Sequence, residues 1–196
     1  MKQNGFLIVL ANPSPIFEEE FNAWYDTEHV PERLAVPGFL SAVRYVGIEG
    51  TPGYLAVYDT TSSEVFSSPG YLAVSFDNFS PWTKRVTSRA RIYRSDGSQI
   101  YPGQAQTVPC ARLYMVRLRK LKQDAAPAVI EGMRASFEAL PQTLQVRVFA
   151  YDTGNGVDFI GLAEARAPIA QGLKLEAFGP HADAIDLVNT YVPYRA

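Results

Sequence analysis

Cysteine, histidine and charge are all scarce in this chain. Its 196 residues include one cysteine, Cys110, so neither an intrachain disulfide nor a cysteine zinc cluster is available. Cys110 opens an apolar strand-like run and reads as a buried side chain rather than a reactive one. The two histidines, His29 and His181, stand far apart in the sequence, and Asp26 with Glu28 lacks calcium-loop spacing, so no metal site is expected. Charged residues make up 19% and the net charge is −2. Such a balance sets up no field for nucleic-acid phosphates. Apolar runs are short, as in Phe6 to Ala11, and fall well below a membrane span. Asn12-Pro13-Ser14-Pro15 follows that run where a signal peptide would carry a small-residue cleavage site. The expectation is a soluble, cytoplasmic protein with no nucleic-acid or membrane partner. Glycine-rich nucleotide loops and the Gly-x-Ser-x-Gly elbow are also missing, which argues against nucleotide binding and serine-nucleophile chemistry.

Apolar residues, by contrast, are plentiful. A hydrophobic content of 47%, with 12% aromatic, can fill the core of one large or two small domains. Phe6 to Leu10 reads as a strand covered on both faces. Ser14-Pro15 caps a helix whose first turns hold Glu18, Glu19 and Glu20, where carboxylates suit the dipole. Phe17, Phe21 and Trp24 form its apolar stripe. Strands are expected at Phe39 to Val46, Tyr54 to Asp59 and Arg89 to Arg94. A helix beginning at Ser68-Pro69 should be lined by Tyr71, Leu72, Phe76 and Phe79. The hexapeptide Pro-Gly-Tyr-Leu-Ala-Val occurs at 52–57 and again at 69–74. Only the second copy has a serine cap, so the first is read as strand and the second as helix.

The second half repeats this order. Strands are expected at Ala111 to Leu118, Leu144 to Ala150, Val157 to Ala163 and Ala184 to Val192. Helices are expected from Pro127 to Leu140 and from about Pro168 to Phe178. Three strands recur at a shift of about 105 residues, a repeat signature. The fold expected is α+β: two ferredoxin-like βαββαβ repeats, residues 1–98 and 99–196, joined by a linker at 96–108. Packed sheet to sheet, they would make an intramolecular dimeric α/β barrel. The duplication itself supplies a pseudo-dimer, so a monomer is feasible, and an exposed edge could still pair two chains into a homodimer.

Reactive side chains are densest in Trp24-Tyr25-Asp26-Thr27-Glu28-His29-Val30-Pro31-Glu32-Arg33. On a helix, Tyr25 and His29 meet at i,i+4 and Asp26 and His29 at i,i+3. Asp26 would fix the imidazole, His29 would act as base, and Tyr25 would donate to a developing oxyanion. The plainer reading is that His29 and Asp26 cap a helix end and that Trp24 is core. Arg89 and Arg91 share a strand face and could hold a carboxylate or form a solvated edge. His181 follows Gly179-Pro180 and reads as a turn residue.

The run Trp24 to Leu34, followed by Val36-Pro37-Gly38-Phe39, Arg44-Tyr45 and Ser80-Pro81-Trp82-Thr83-Lys84-Arg85, resembles the dimeric α/β-barrel superfamily, particularly its EthD-like members. The resemblance is specific over residues 5–93. It implies a cavity between a sheet and its covering helices, with His29 facing it. It also implies the range of that superfamily: isomerases, cyclases, cofactor-free monooxygenases and haem enzymes. Because the second half lacks the motif, one cavity per chain is expected. The function expected is a small-molecule enzyme of isomerase, cyclase, lyase or cofactor-free monooxygenase type, acting on a hydrophobic or aromatic carbonyl compound without a cofactor. Trp24, Arg33, Tyr45, Tyr54, Phe66 and Trp82 are the expected substrate contacts. The alternatives are a non-catalytic binding protein for a hydrophobic metabolite, and a haem-binding member.

Overall fold

A computed structural model describes residues 3–195. Eight strands carry the fold: β1 (Gly5–Pro13), β2 (Phe39–Gly47), β3 (Tyr54–Thr60), β4 (Ala90–Tyr101), β5 (Arg112–Leu121), β6 (Thr143–Asp152), β7 (Val157–Ala165) and β8 (Ile185–Pro193). All pair antiparallel and close into a barrel of order β1-β3-β2-β8-β5-β7-β6-β4. The first four strands run β4-β1-β3-β2 and the last four run β8-β5-β7-β6, so each half has the same internal order. Closure is made by Ser98 and Gln99 of β4 against Ala150 and Phe149 of β6, and by Tyr45 to Gly47 of β2 against β8. This is the mixed α+β dimeric α/β-barrel fold read from the sequence.

Alternation along each strand divides the apolar residues into three cores. Phe6, Ile8, Leu10, Leu55, Val57, Met115, Phe149 and Leu162 fill the barrel. The other parity of β1 and β3, Leu7, Val9, Ala56 and Tyr58, packs under the first set of helices with Phe21 and Trp24. In the second half Val116, Leu118, Val148 and Phe159 pack under α5 (Ala126–Met133). A continuous apolar run such as Phe6 to Leu10 is needed because both faces of β1 are covered.

Helices cover each half differently. In the first, α1 (Glu18–Trp24) and α2 (Val30–Leu34) are followed by α3 (Pro69–Leu72) and α4 (Pro81–Thr87). The two copies of the hexapeptide take different structures: Tyr54 starts β3, while Ser68 caps α3 by accepting from the Tyr71 N–H at 3.2 Å. The helix expected across Tyr71 to Phe79 is broken, because Phe76 takes φ 53° and a short 3-10 turn, Phe76–Asn78, precedes α4. A new cap begins α4, with Ser80 accepting from Thr83 N–H at 2.9 Å.

Two further expectations are corrected. No helix spans Pro168 to Phe178: the chain runs irregularly to a 3-10 segment, Leu175–Ala184, kinked at Gly179 with φ 56°. Pro168 and Gly172 break the pattern, and Ile169 N–H instead donates to the Tyr114 hydroxyl at 2.6 Å. Residues 96–101 are strand rather than linker, since β4 continues to Tyr101. Gly97 lies within that strand. It lets β4 press against the Ala150 carbonyl, where a side chain would collide.

Candidate active site

Between α1 and α2 the chain makes a π turn, Tyr25–His29, in which Val30 N–H donates to the Tyr25 carbonyl five residues back. Pro31 has no N–H to offer at the start of α2, and the hydrogen-bond ladder slips by one residue here. The wider turn brings Tyr25 and His29 inward while Asp26 remains outside. His29 is 8% exposed and lies face to face on Trp24, with ring centroids 4.3 Å apart. Tyr25 meets it edge-on at 5.2 Å. Trp24 is fixed from behind: its Nε1–H donates to Thr83 Oγ1 at 3.0 Å, and Thr83 donates to Glu28 at 3.0 Å.

These rings wall a cavity of about 330 Å³ between the outer face of β1 and β4 and the helices above it. Leu7, Val9, Ala90 and Ile92 form the floor, while Tyr71, Phe76 and Phe79 stand around it. The polar groups are few: His29, Tyr25, Thr83, Thr87, Arg33 and Arg94. That balance suits a small-molecule pocket. Burial, reinforced by the charges of Arg33 and Arg44, holds the imidazole down at about 3. Burial likewise pushes the Tyr25 hydroxyl up to about 12, a rise that Arg44 moderates. At neutral pH the cavity therefore presents an uncharged imidazole and a protonated phenol. His29 Nδ1 is buried without a hydrogen-bond partner. The Tyr25 hydroxyl faces that of Tyr58, whose own oxygen makes no hydrogen bond of good geometry.

Asp26 is placed elsewhere. It accepts from Arg44 at 2.5 Å and from the Tyr194 hydroxyl at 3.2 Å, so it pins the π turn to β2 and does not orient His29. Of the expected substrate contacts, Trp24 and Arg33 line the cavity. Tyr45 belongs to the barrel interior, the opposite face of β2 from Arg44. Tyr54 bonds Glu18 and Asn22, and the Trp82 indole bonds Glu20. Phe66 packs behind Tyr71, 5.4 Å away. Sequence reasoning missed Arg94, Tyr71 and Phe79. Strand parity was the available signal for Arg94: Ala90, Ile92 and Arg94 share the helix-covered face and Arg91 alternates away from it, while Arg89 precedes β4 and lies against Phe17 and Glu20.

In the second half, among the described residues, α5 is packed closely against its neighbours. Phe178 lies so close to α5 that a Cβ on Gly132 would sit 2.5 Å from its ring, and Met133 packs directly on Gly161. A π turn, Arg134–Glu138, also follows α5, but its ends form an exposed Arg134–Glu138 ion pair. Haem does not fit the first-half cavity. Its imidazole is stacked on Trp24 at 4.3 Å with Nδ1 buried, which leaves the ring poorly placed as an axial ligand.

Comparison with known proteins follows the fold. No family model matches the chain, and no curated protein matches its sequence. Solved structures do match. An anthrone oxidase-like protein superposes with a TM-score of 0.71 at 13% identity, over 100% of this chain and 92% of its own. A monooxygenase-like protein from Lactobacillus acidophilus gives 0.58 at 12%, over 98% and 94%. A chlorite dismutase from Candidatus Nitrospira defluvii gives 0.60 at 9%, over 100% and 92%. These neighbours are dimeric α/β-barrel proteins, and this chain shares their fold. Among the described residues no helix is long and apolar enough to cross a membrane.

Proposed function

We propose that this chain is a small-molecule enzyme that takes a proton from a hydrophobic or aromatic carbonyl compound. His29 is the proton acceptor, and Tyr25 donates a hydrogen bond to the oxyanion that develops. The observation that carries this reading is an uncharged imidazole on the wall of an apolar cavity, its Nδ1 buried and without a hydrogen-bond partner among the described residues. Alone, such an imidazole is a weak base. As the proton leaves, negative charge forms on the substrate beside it, and the ion pair stabilises itself in surroundings of low dielectric. Isomerisation, cyclisation, elimination and cofactor-free oxygenation all begin with that step. The EthD-like resemblance and the arrangement of two repeats, 1–98 and 99–196, with one site in the first, belong to the same proposal. The matching strand order of the halves and the π turn in each support it.

The anthrone oxidase-like structural neighbour suggests a first substrate class. Anthrone is a fused aromatic ketone with an acidic methylene. Its enolate reacts with dioxygen, and anthrone plus one dioxygen gives anthraquinone plus water. Oxygen uptake and absorbance with anthrone-like ketones are the assay. His29→Gln should lower kcat/KM by about 100-fold or more while the fold is retained, the usual loss when a general base is removed. Unchanged turnover in that variant would exclude His29 as the acceptor. One observation favours a second reading, a binding protein for a hydrophobic metabolite. Asp26 is committed to Arg44, and His29 has no carboxylate orienting it. That reading expects ligand binding without turnover by the wild type.

A further inference from the structure

Two cations in the cavity are not used by the proton transfer. Arg33 is 2% exposed, and its Nη2 donates to the Val74 carbonyl at 2.7 Å. Its Nη1 is buried and has no hydrogen-bond partner among the described residues. Arg94 reaches the same wall from β4, donating from Nη2 to the Tyr71 hydroxyl at 3.0 Å and from Nη1 to Asp96 at 2.6 Å. Both guanidinium groups lie over the Tyr71 ring, 5.2 and 5.8 Å from its centroid, so one aromatic plate carries two cations on the cavity wall. Glu32 is an ion-pair neighbour of Arg33, but the nearby carboxylates leave its Nη1 without a hydrogen bond. Asp96 is engaged by Arg94, and Glu32 Oε2 lies 3.6 Å from Nη2, too far for a hydrogen bond. A buried guanidinium with an unmet N–H is costly, and the group that suits it best is an oxyanion.

The geometry points to an anionic ligand: an aromatic compound whose carboxylate or acidic phenolic oxygen is held by the Arg33 guanidinium, with Arg94 as the second cation and the ring system against Tyr71 and Phe79. The inference rests on the same cavity as the proposed enzyme. It narrows the substrate from any hydrophobic carbonyl compound to one carrying a negative oxygen group. It also separates two tasks on one pocket wall, since the arginines hold charge and the uncharged His29 is left free for proton transfer.

The test uses a matched pair of probes, 2-naphthoate and 2-naphthamide, which share shape and differ in charge. Isothermal titration of the wild-type chain at neutral pH should show naphthoate binding about tenfold more tightly or better, as expected for a charge-assisted hydrogen bond. Arg33→Gln should bring the two affinities together by weakening naphthoate, with naphthamide changed no more than about threefold. Arg94→Gln should reduce the preference less, and it serves with the wild-type ratio if Arg33→Gln does not fold. Equal binding of the two probes by the wild type, or a preference that survives both substitutions, overturns the inference. If neither probe binds, the anion-site inference falls, while turnover of anthrone-like ketones remains the separate test of the enzyme. A clear preference for naphthoate without turnover of any ketone leaves the anion site standing and removes only the enzyme.

Discussion

His29 holds the most chemical information in the smallest space. Its side chain gives up hydration and gains ring stacking on Trp24, but its Nδ1 gains no hydrogen bond. A histidine kept for stability would be expected to have its nitrogens satisfied. The linkage sign follows from the lowered value of about 3. The unfolded chain takes up a proton near 6.5 and the folded one does not, so stability is full above that pH. It is lost as pH falls toward 3. At about pH 4.5 this one group should cost roughly 2–3 kcal/mol relative to neutral pH. Urea unfolding of wild type and His29→Leu at both pH values isolates the effect. The variant should match or exceed wild type at neutral pH and lose less on acidification. A drop of more than about a kilocalorie per mole at neutral pH would instead mark the histidine as part of the scaffold. At this scale the sequence located the cluster but assigned Asp26 wrongly, because helix arithmetic with i,i+3 spacing does not hold through a π turn. Tyr45 was misplaced for a different reason, since a one-residue change of parity moves a strand side chain from the helix face to the barrel interior.

Among elements, the π turn depends on β2. Arg44 lies between the rings of Tyr25 and Tyr194, 4.4 and 3.9 Å from their centroids, and donates to Asp26 and Asn22, both at 2.5 Å. It thus ties the site's helical segment to the barrel wall and to the chain after β8. Arg44→Met keeps much of the packing but removes both charge-assisted bonds, and it should cost about 1–3 kcal/mol in denaturant unfolding. Ser68→Ala removes the cap that turns the second hexapeptide into helix and should cost about 1 kcal/mol. Strand positions were legible because period-two alternation and continuous apolar runs are local signals. Helices were less legible. The stretch from Tyr71 to Phe79 has an apolar stripe, yet the chain breaks at Phe76. Pro168 to Phe178 also carries apolar residues at suggestive spacing, but they reach the core from an irregular segment pinned by Tyr114.

Across the whole molecule, a buried polar network joins the halves. Arg147 of β6 donates to Asp59 of β3 at 2.7 Å and to Glu164 of β7 at 2.6 Å, and all three side chains are fully buried. The connecting segment closes over them, with Thr107 N–H donating to Asp59 at 2.6 Å. Removing the cation strands two buried carboxylates, so Arg147→Met should cost about 3–5 kcal/mol. Fluorescence and circular dichroism should report one shared unfolding transition in the wild type, since the halves are joined by strand pairing at two seams as well as by this network. Separate transitions would show that the halves unfold independently. The repeated strand order was readable in the sequence because three strands recur at near-constant spacing. The network was not, because Asp59 lies far along the chain from the β6–β7 hairpin that carries Arg147 and Glu164, and only the packing of the two halves brings it there.

The most direct test of the account is to follow the ring resonances of His29 by NMR as pH is lowered, with His29→Gln supplying the assignment. An imidazole that stays uncharged from neutral pH down to about pH 4 is the expected result, because burial and Arg33 both oppose its proton. Titration near the ordinary histidine value of about 6.5 would mean that water reaches the ring freely. The enclosed proton-transfer site would then be contradicted.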